Sequence, residues 1–209
     1  MTLNSEFQSL YERWREKANQ YSTENIHDVF DKFFSLYVIY NALYVEATTY
    51  LHRQAISEGK EAYKLVDGRF PDKDAATKYV LDLLKSRSLL NSIESTPNTK
   101  EALDQIKAII SEDNSINFWI CLDPIWGTPQ KEEDKKLQQM LKSSSADERA
   151  RALLQLIYEV RCNMFHGRKS VRPVQKKLLI PIITILEKIV DKLYQKLKDA
   201  PYIDSIEQH

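Results

Sequence analysis

The chain has 209 residues with 43% apolar side chains, enough for one domain with a real core and too short for two full ones to be expected. Basic and acidic side chains balance at 30 each, so attraction to nucleic acid or an anionic surface cannot come from global charge and must come from a local patch. Two cysteines, Cys121 and Cys162, give neither a disulfide framework nor zinc-ligand spacing; a reducing cytoplasm and no metal or cofactor are the expectation.

The start, Met-Thr-Leu-Asn-Ser-Glu, lacks the regions of a signal peptide, and no uncharged run reaches the ~18 residues of a membrane span. Four glycines and few alternating β-branched runs predict an all-α protein. A first helix is expected over roughly 3–21, with Phe7, Leu10, Tyr11 and Trp14 on its buried side. Thr23 or Ser22 then caps a long aromatic second helix, in which Phe30, Phe33, Phe34, Tyr37, Tyr44 and Leu51 follow helical spacing and supply much of the core. Asn41 lies on the same stripe, where a buried amide is expected to bond to a neighbouring helix.

From Ser57 to Asp72 the pattern weakens, and Gly59, Asp67-Gly68 and Pro71 mark turns. A shorter helix is predicted over 72–91 and another over 99–111, introduced by Pro97 and Thr99. An irregular insertion follows near 114–130, broken at Pro124, Gly127 and Pro129. Its Phe118, Trp119, Ile120 and Trp126 predict a packed cover, with stacking on bases the lesser alternative. Lys131 to Lys136 reads as a solvated helix face. The long C-terminal helix should run from Pro173 or Val174 to about Asp199, followed by a flexible tail from about 200. Its segment Leu178 to Leu186 is apolar nearly all round, so it is either central to the bundle or turned toward a second subunit, and Pro181 should kink it or fall in its first turns.

The stretch carrying chemistry lies before that helix. Ser145 and Glu148 have capping-box spacing, Gly167 is a natural helix stop, and Ala150, Leu153, Leu154, Ile157 and Met164 form one apolar stripe between them. Arg161 falls in the middle of that stripe. A core-facing cation needs a carboxylate, a solvent cleft or an anionic ligand. From Val160 to Leu186 there is no acidic residue, while Arg161, Arg168, Lys169, Arg172, Lys176 and Lys177 are all present. Such a patch suits phosphates; helix-terminal cations complementing the macrodipole would explain only one or two of the six.

Arg161 and His166, with four residues between them at the end of a late helix and with Gly167 and a basic flank behind them, resemble the Arg-x4-His motif of the HEPN superfamily. Val160 to Gly167 as a whole is similar to that family, and more loosely so is the helix ending Tyr40-Asn-Ala-Leu-Tyr44. The family's motif usually has Asn or Asp directly after the arginine; here that position is Cys162 and the asparagine follows as Asn163. The resemblance implies a single HEPN-like domain over 1–209, an up-and-down helical bundle that dimerises through its motif-bearing and C-terminal helices. It further implies metal-independent RNA cleavage by a toxin or defence effector, with an antitoxin or defence-system protein as partner. Some members instead act without catalysis, binding RNA, a nucleotide or a protein.

Side-chain chemistry then distributes the roles. His166 serves as acid or base, Arg161 holds the scissile phosphate with its planar fork, and Asn163 orients the imidazole or touches phosphate. Arg168, Lys169, Arg172, Lys176 and Lys177 contact the RNA backbone. Residues five apart on a helix point about 140° away from each other, so two motifs meeting across a two-fold axis are expected to complete one site. A Cys162–His166 nucleophile–base pair lacks an orienting carboxylate, and His27, His52 and His209 are scattered.

Overall fold

The most apolar stretch of the sequence ends up surrounded by the rest of it. The computed structural model describes residues 3–63, 65, 68–111, 119–123, 125–165 and 171–201, and among these there are eight helices and no β-strand. They are α1 (Ser5–Gln20), α2 (Ile26–Ser57), α3 (72–84), α4 (Ser86–Glu94), α5 (Pro97–Ser111), α6 (Lys131–Leu141), α7 (Ala146–Phe165) and α8 (Lys176–Lys198). The all-α expectation holds. None of the described helices is long and apolar enough to cross a membrane. Most of the tail expected from about 200 lies outside the described residues.

Helix α8 packs against α2 and α5, α2 also carries α1, and α7 lies on α3, α4 and α6. Between Leu178 and Leu186 only Ile180 and Thr184 are part-exposed; the other side chains are buried. The all-round apolarity is therefore used inside the chain, and it gives no reason to place a second subunit on this helix. Pro181 falls in the second turn and the helix continues past it. The long α2 buries Phe33, Tyr37 and Tyr44 as its spacing predicts and Tyr40 with them, but Phe34 is 41% exposed. Its cap is Asn25, whose side chain accepts from the Asp28 N–H at 2.9 Å; Ser22 instead donates to the Asp28 carboxylate. Asn41 is exposed and meets Tyr44 of its own helix, not a neighbouring one.

The helix expected over 72–91 breaks at Lys85, the one non-glycine with positive φ among the described residues (63°). The break re-aims the chain so that Leu89, Leu90 and Ile93 of α4 enter the core. Strain of this kind costs about 1–3 kcal/mol, and glycine escapes most of it while paying entropy in the unfolded chain. Lys85→Gly is expected to raise stability by roughly 1 kcal/mol, read as a 2–4 °C rise in Tm.

Helix α3 is itself irregular. Its α-helical ends, Asp72–Asp74 and Val80–Leu84, are joined by a π turn, Ala75–Tyr79. The wide turn offers the Ala76 carbonyl to the fully buried Tyr40 hydroxyl, which would otherwise lack a partner.

In the insertion, Ile120, Cys121 and Leu122 are buried as a cover should be. The Asp134 carboxylate accepts the N–H groups of Ile120 and Cys121, and Gln130 N–H donates to the Cys121 carbonyl. The cover reading fails at the tip, where Ile125 and Trp126 are 78% and 79% exposed. There Asp123 Oδ1 accepts the N–H groups of both residues and Gly127 takes a φ of 65°, a turn too tight to fold either side chain back. Phe118 and Pro124 lie outside the described residues.

Candidate functional site at Arg161

Helix α7 begins as its capping signal predicts, with Ser145 Oγ accepting the Glu148 N–H at 3.4 Å. Its buried stripe runs through Ala150, Leu153, Leu154, Ile157 and Val160 and ends on Asn163, which is 4% exposed. Arg161 is therefore not in the middle of the stripe but at its edge, over α3, with 22% of its side chain exposed. Packing of α7 on the π turn brings Asp72, the first residue of α3, beside it. Of the three ways to accommodate that cation, the structure supplies the carboxylate: Arg161 Nη1 lies 3.7 Å from Asp72 Oδ2. A carboxylate in the first turn of a helix also suits the helix dipole.

Asp72 is in turn held from two other helices. Tyr158 of α7 donates to its Oδ2 at 3.1 Å, and Tyr44 of α2 donates to its Oδ1. The Tyr44 oxygen also contacts the Asn41 amide. The contact is with Asn41 Oδ1, so the one proton of the Tyr44 hydroxyl faces two acceptors, Asn41 and Asp72. Burial first, and then the bond to Asp72, push the Tyr44 phenol well above its ordinary value; burial followed by Cys162 and Asp72 does the same for Tyr158. Both phenols thus stay protonated and remain donors.

The guanidinium is stacked as well as paired. It lies 4.8 Å from the Phe165 ring centre and 5.4 Å from that of Tyr37, and Phe165 is stacked on Phe34 at 4.9 Å. Its Nη1 is 3.8 Å from the Cys162 sulfur. Burial pulls the proton affinity of Arg161 down, and its contacts with Cys162, Tyr37 and Asp72 more than restore it. Among the described residues, two polar atoms here are buried without a hydrogen-bond partner, Arg161 Nε and the Tyr37 hydroxyl. Next to this cluster Lys73 and Glu159 pair at 2.8 Å.

Asn163 does not join it. Two residues along a helix is about 200° of rotation, and Asn163 points to the opposite side of α7 from Arg161. Its Nδ2 donates to the Ile120 carbonyl at 2.8 Å, tying α7 to the insertion. It borders a cavity of about 30 Å³, also lined by Phe30, Ile120, Val160 and Met164, which is water-sized and no place for a nucleotide. Asn163→Ala is expected to cost about 1–3 kcal/mol by orphaning that carbonyl. It should also speed proteolytic nicking between 119 and 130, monitored by limited trypsinolysis.

His166, Arg168 and Lys169 lie outside the described residues. Of the other basic candidates, Lys177 is exposed and Lys176 is half-buried, its ammonium donating to the Glu24 carbonyl ahead of α2. Arg172 is exposed, and its backbone N–H donates to the Gln175 side chain at 3.0 Å. The acid-free basic stretch is thus real in sequence, but Lys176 is tethered to backbone. Comparison with protein-family models, curated proteins and solved structures gives no match. The site's chemistry has to be read from its own atoms. They present a cation that is pre-oriented by two rings and a fixed carboxylate, with its donors incompletely used. That arrangement suits a phosphate group, which offers several acceptor oxygens to a planar fork.

Proposed function

We propose that this chain is a HEPN-like, metal-independent endoribonuclease that acts as a dimer, in a toxin or anti-phage defence role. The observation that carries the reading is the state of Arg161: partly exposed, lying against two aromatic rings, and paired with Asp72 at a distance too long to engage its donors fully. In the reaction the 2′-oxygen of one nucleotide bonds to its own phosphorus as the P–O5′ bond breaks. The 2′-hydroxyl proton passes to a base, and a proton is delivered to the departing 5′-oxygen. His166 supplies one of these transfers and Arg161 neutralises the crowded phosphorane oxygens. The other transfer falls to the His166 of a second copy. The exposed, mutually stacked Phe34 and Phe165 beside Arg161 are the apolar surface such a copy would cover.

A non-catalytic module that binds RNA, a nucleotide or a protein is the second reading, favoured by the structural use of Asn163. The two separate on mixed RNA incubated with the protein in EDTA. The nuclease reading expects fragments ending in 2′,3′-cyclic phosphate and 5′-hydroxyl, and no cut where the attacking 2′-hydroxyl is replaced by hydrogen. Intact RNA from a preparation that gel filtration shows to be dimeric would leave the binding module as the answer.

A further inference from the structure

Asp72 is not placed as an ordinary counterion. A carboxylate that closes on arginine sits at about 2.7–2.9 Å, often through both oxygens. Here the separation is 3.7 Å, through one nitrogen, and Nε is left buried without a partner. The carboxylate cannot swing closer, because Tyr44 and Tyr158 hold its two oxygens from two different helices. Its geometry is set by the phenols, and the arginine is aligned to it by charge while the rings of Tyr37 and Phe165 lie against the guanidinium. A looser carboxylate would close on Arg161 and consume the donors; a missing one would leave the guanidinium free to turn about its stem.

We propose that Asp72, clamped by Tyr44 and Tyr158, is a positioning residue that aims the Arg161 guanidinium at an RNA phosphate without quenching it. The proposal rests on the nuclease reading for its substrate, but the alignment itself is a property of the folded chain. Tyr44 and Tyr158 act one step further out, through Asp72, and Asn41 one step beyond Tyr44.

The test uses the full chain and two readouts. In nitrogen-15 spectra the Arg161 Nε–H signal, assigned by its loss in Arg161→Lys, should be sharp in the wild type and broadened or lost in Asp72→Asn. In Tyr158→Phe, which keeps the carboxylate, it should be intermediate. In the RNA assay Asp72→Asn should lower kcat by about 10²-fold with KM changed less than about threefold, the pattern of a misaimed rather than a missing contact. Tyr158→Phe should lose about tenfold in kcat, with unchanged thermal unfolding as the control for folding. An Arg161 signal in Asp72→Asn as sharp as in the wild type overturns the proposal whether or not RNA is cut. Tighter RNA binding with undiminished kcat in that variant also overturns it, because Asp72 would then be a competing anion. If the wild type cuts no RNA but the signal responds as expected, the alignment stands and the nuclease reading alone fails.

Discussion

Arg161→Ala should reduce metal-independent RNA cleavage by about 10²–10³-fold, the usual loss when one fixed charge stabiliser is removed from a phosphoryl or acyl transition state. His166→Ala should lose about 10²–10⁴-fold, as expected for a proton-transfer group. Arg161→Lys should rescue little, because an ammonium is a point charge without the planar fork and stacks poorly on Tyr37 and Phe165. Stability should hardly move. Asp72 keeps two phenol donors when the arginine is gone, and nearly half its side chain, 47%, is already in water. The ion pair is half-exposed and long, so its loss should cost about 0–1 kcal/mol. Initial rates beside thermal unfolding of each variant check both halves. Cleavage that survives in both alanine variants at wild-type rate would sink the nuclease reading, and unfolding of Arg161→Ala would make the residue structural.

Ile182→Lys should have the largest effect on the fold. Ile182 is fully buried on α8, the helix that α2 and α5 enclose. A lysine there has no carboxylate to meet and must either stay neutral or drag water into the core, at a cost of at least about 4–5 kcal/mol, a large share of the stability of a domain this size. By contrast Ile182→Val should cost only about 0.5–1.5 kcal/mol. Urea unfolding of the two variants, with gel filtration alongside, tests the position directly. Were this face a subunit interface, the lysine variant would instead emerge as a well-folded monomer.

The contrast between those two expectations shows what the sequence could and could not say. Helical spacing located α7 and its Ser145 start, the charged face of α6 and the long α8. It could not say whether an all-round apolar segment meets its own chain or another, because hydrophobicity carries no address. It missed the Lys85 break, where no glycine or proline announces a turn. Asn25 took the cap from Ser22 and Thr23 because all three can cap and only the entry geometry of α2 chooses among them. Trp126 was misread as cover because an aromatic in an irregular segment usually packs, and the turn that exposes it is a matter of four hydrogen bonds at Asp123.

At the site, Arg161 stood out as a charge among apolar neighbours. Its partner did not. Asp72 is 86 positions from Tyr158, its hydrogen-bond partner on α7, and nothing about an aspartate opening a helix marks it for that role. Tyr158, three positions before Arg161 on the same helix face, was the available clue that polar groups gather there. Asn163 was placed beside His166 by its three-residue helical spacing; its amide donates to the Ile120 carbonyl, away from Arg161, and His166 lies outside the described residues.

The π turn in α3 gives the Asp72–Arg161 alignment an unusual dependence. A π turn accommodates one more residue than an α turn over nearly the same length. Were Ala75–Tyr79 one residue shorter, α3 would run regular, and everything before it would rotate by about 100° relative to everything after. Asp72 would then face away from α7 with every side chain of the site still present. The alignment is thus stored in the length of the chain as much as in its composition. Point substitutions across the turn would leave that information untouched, and two relatives with identical site residues but a one-residue gap here would not share the same site.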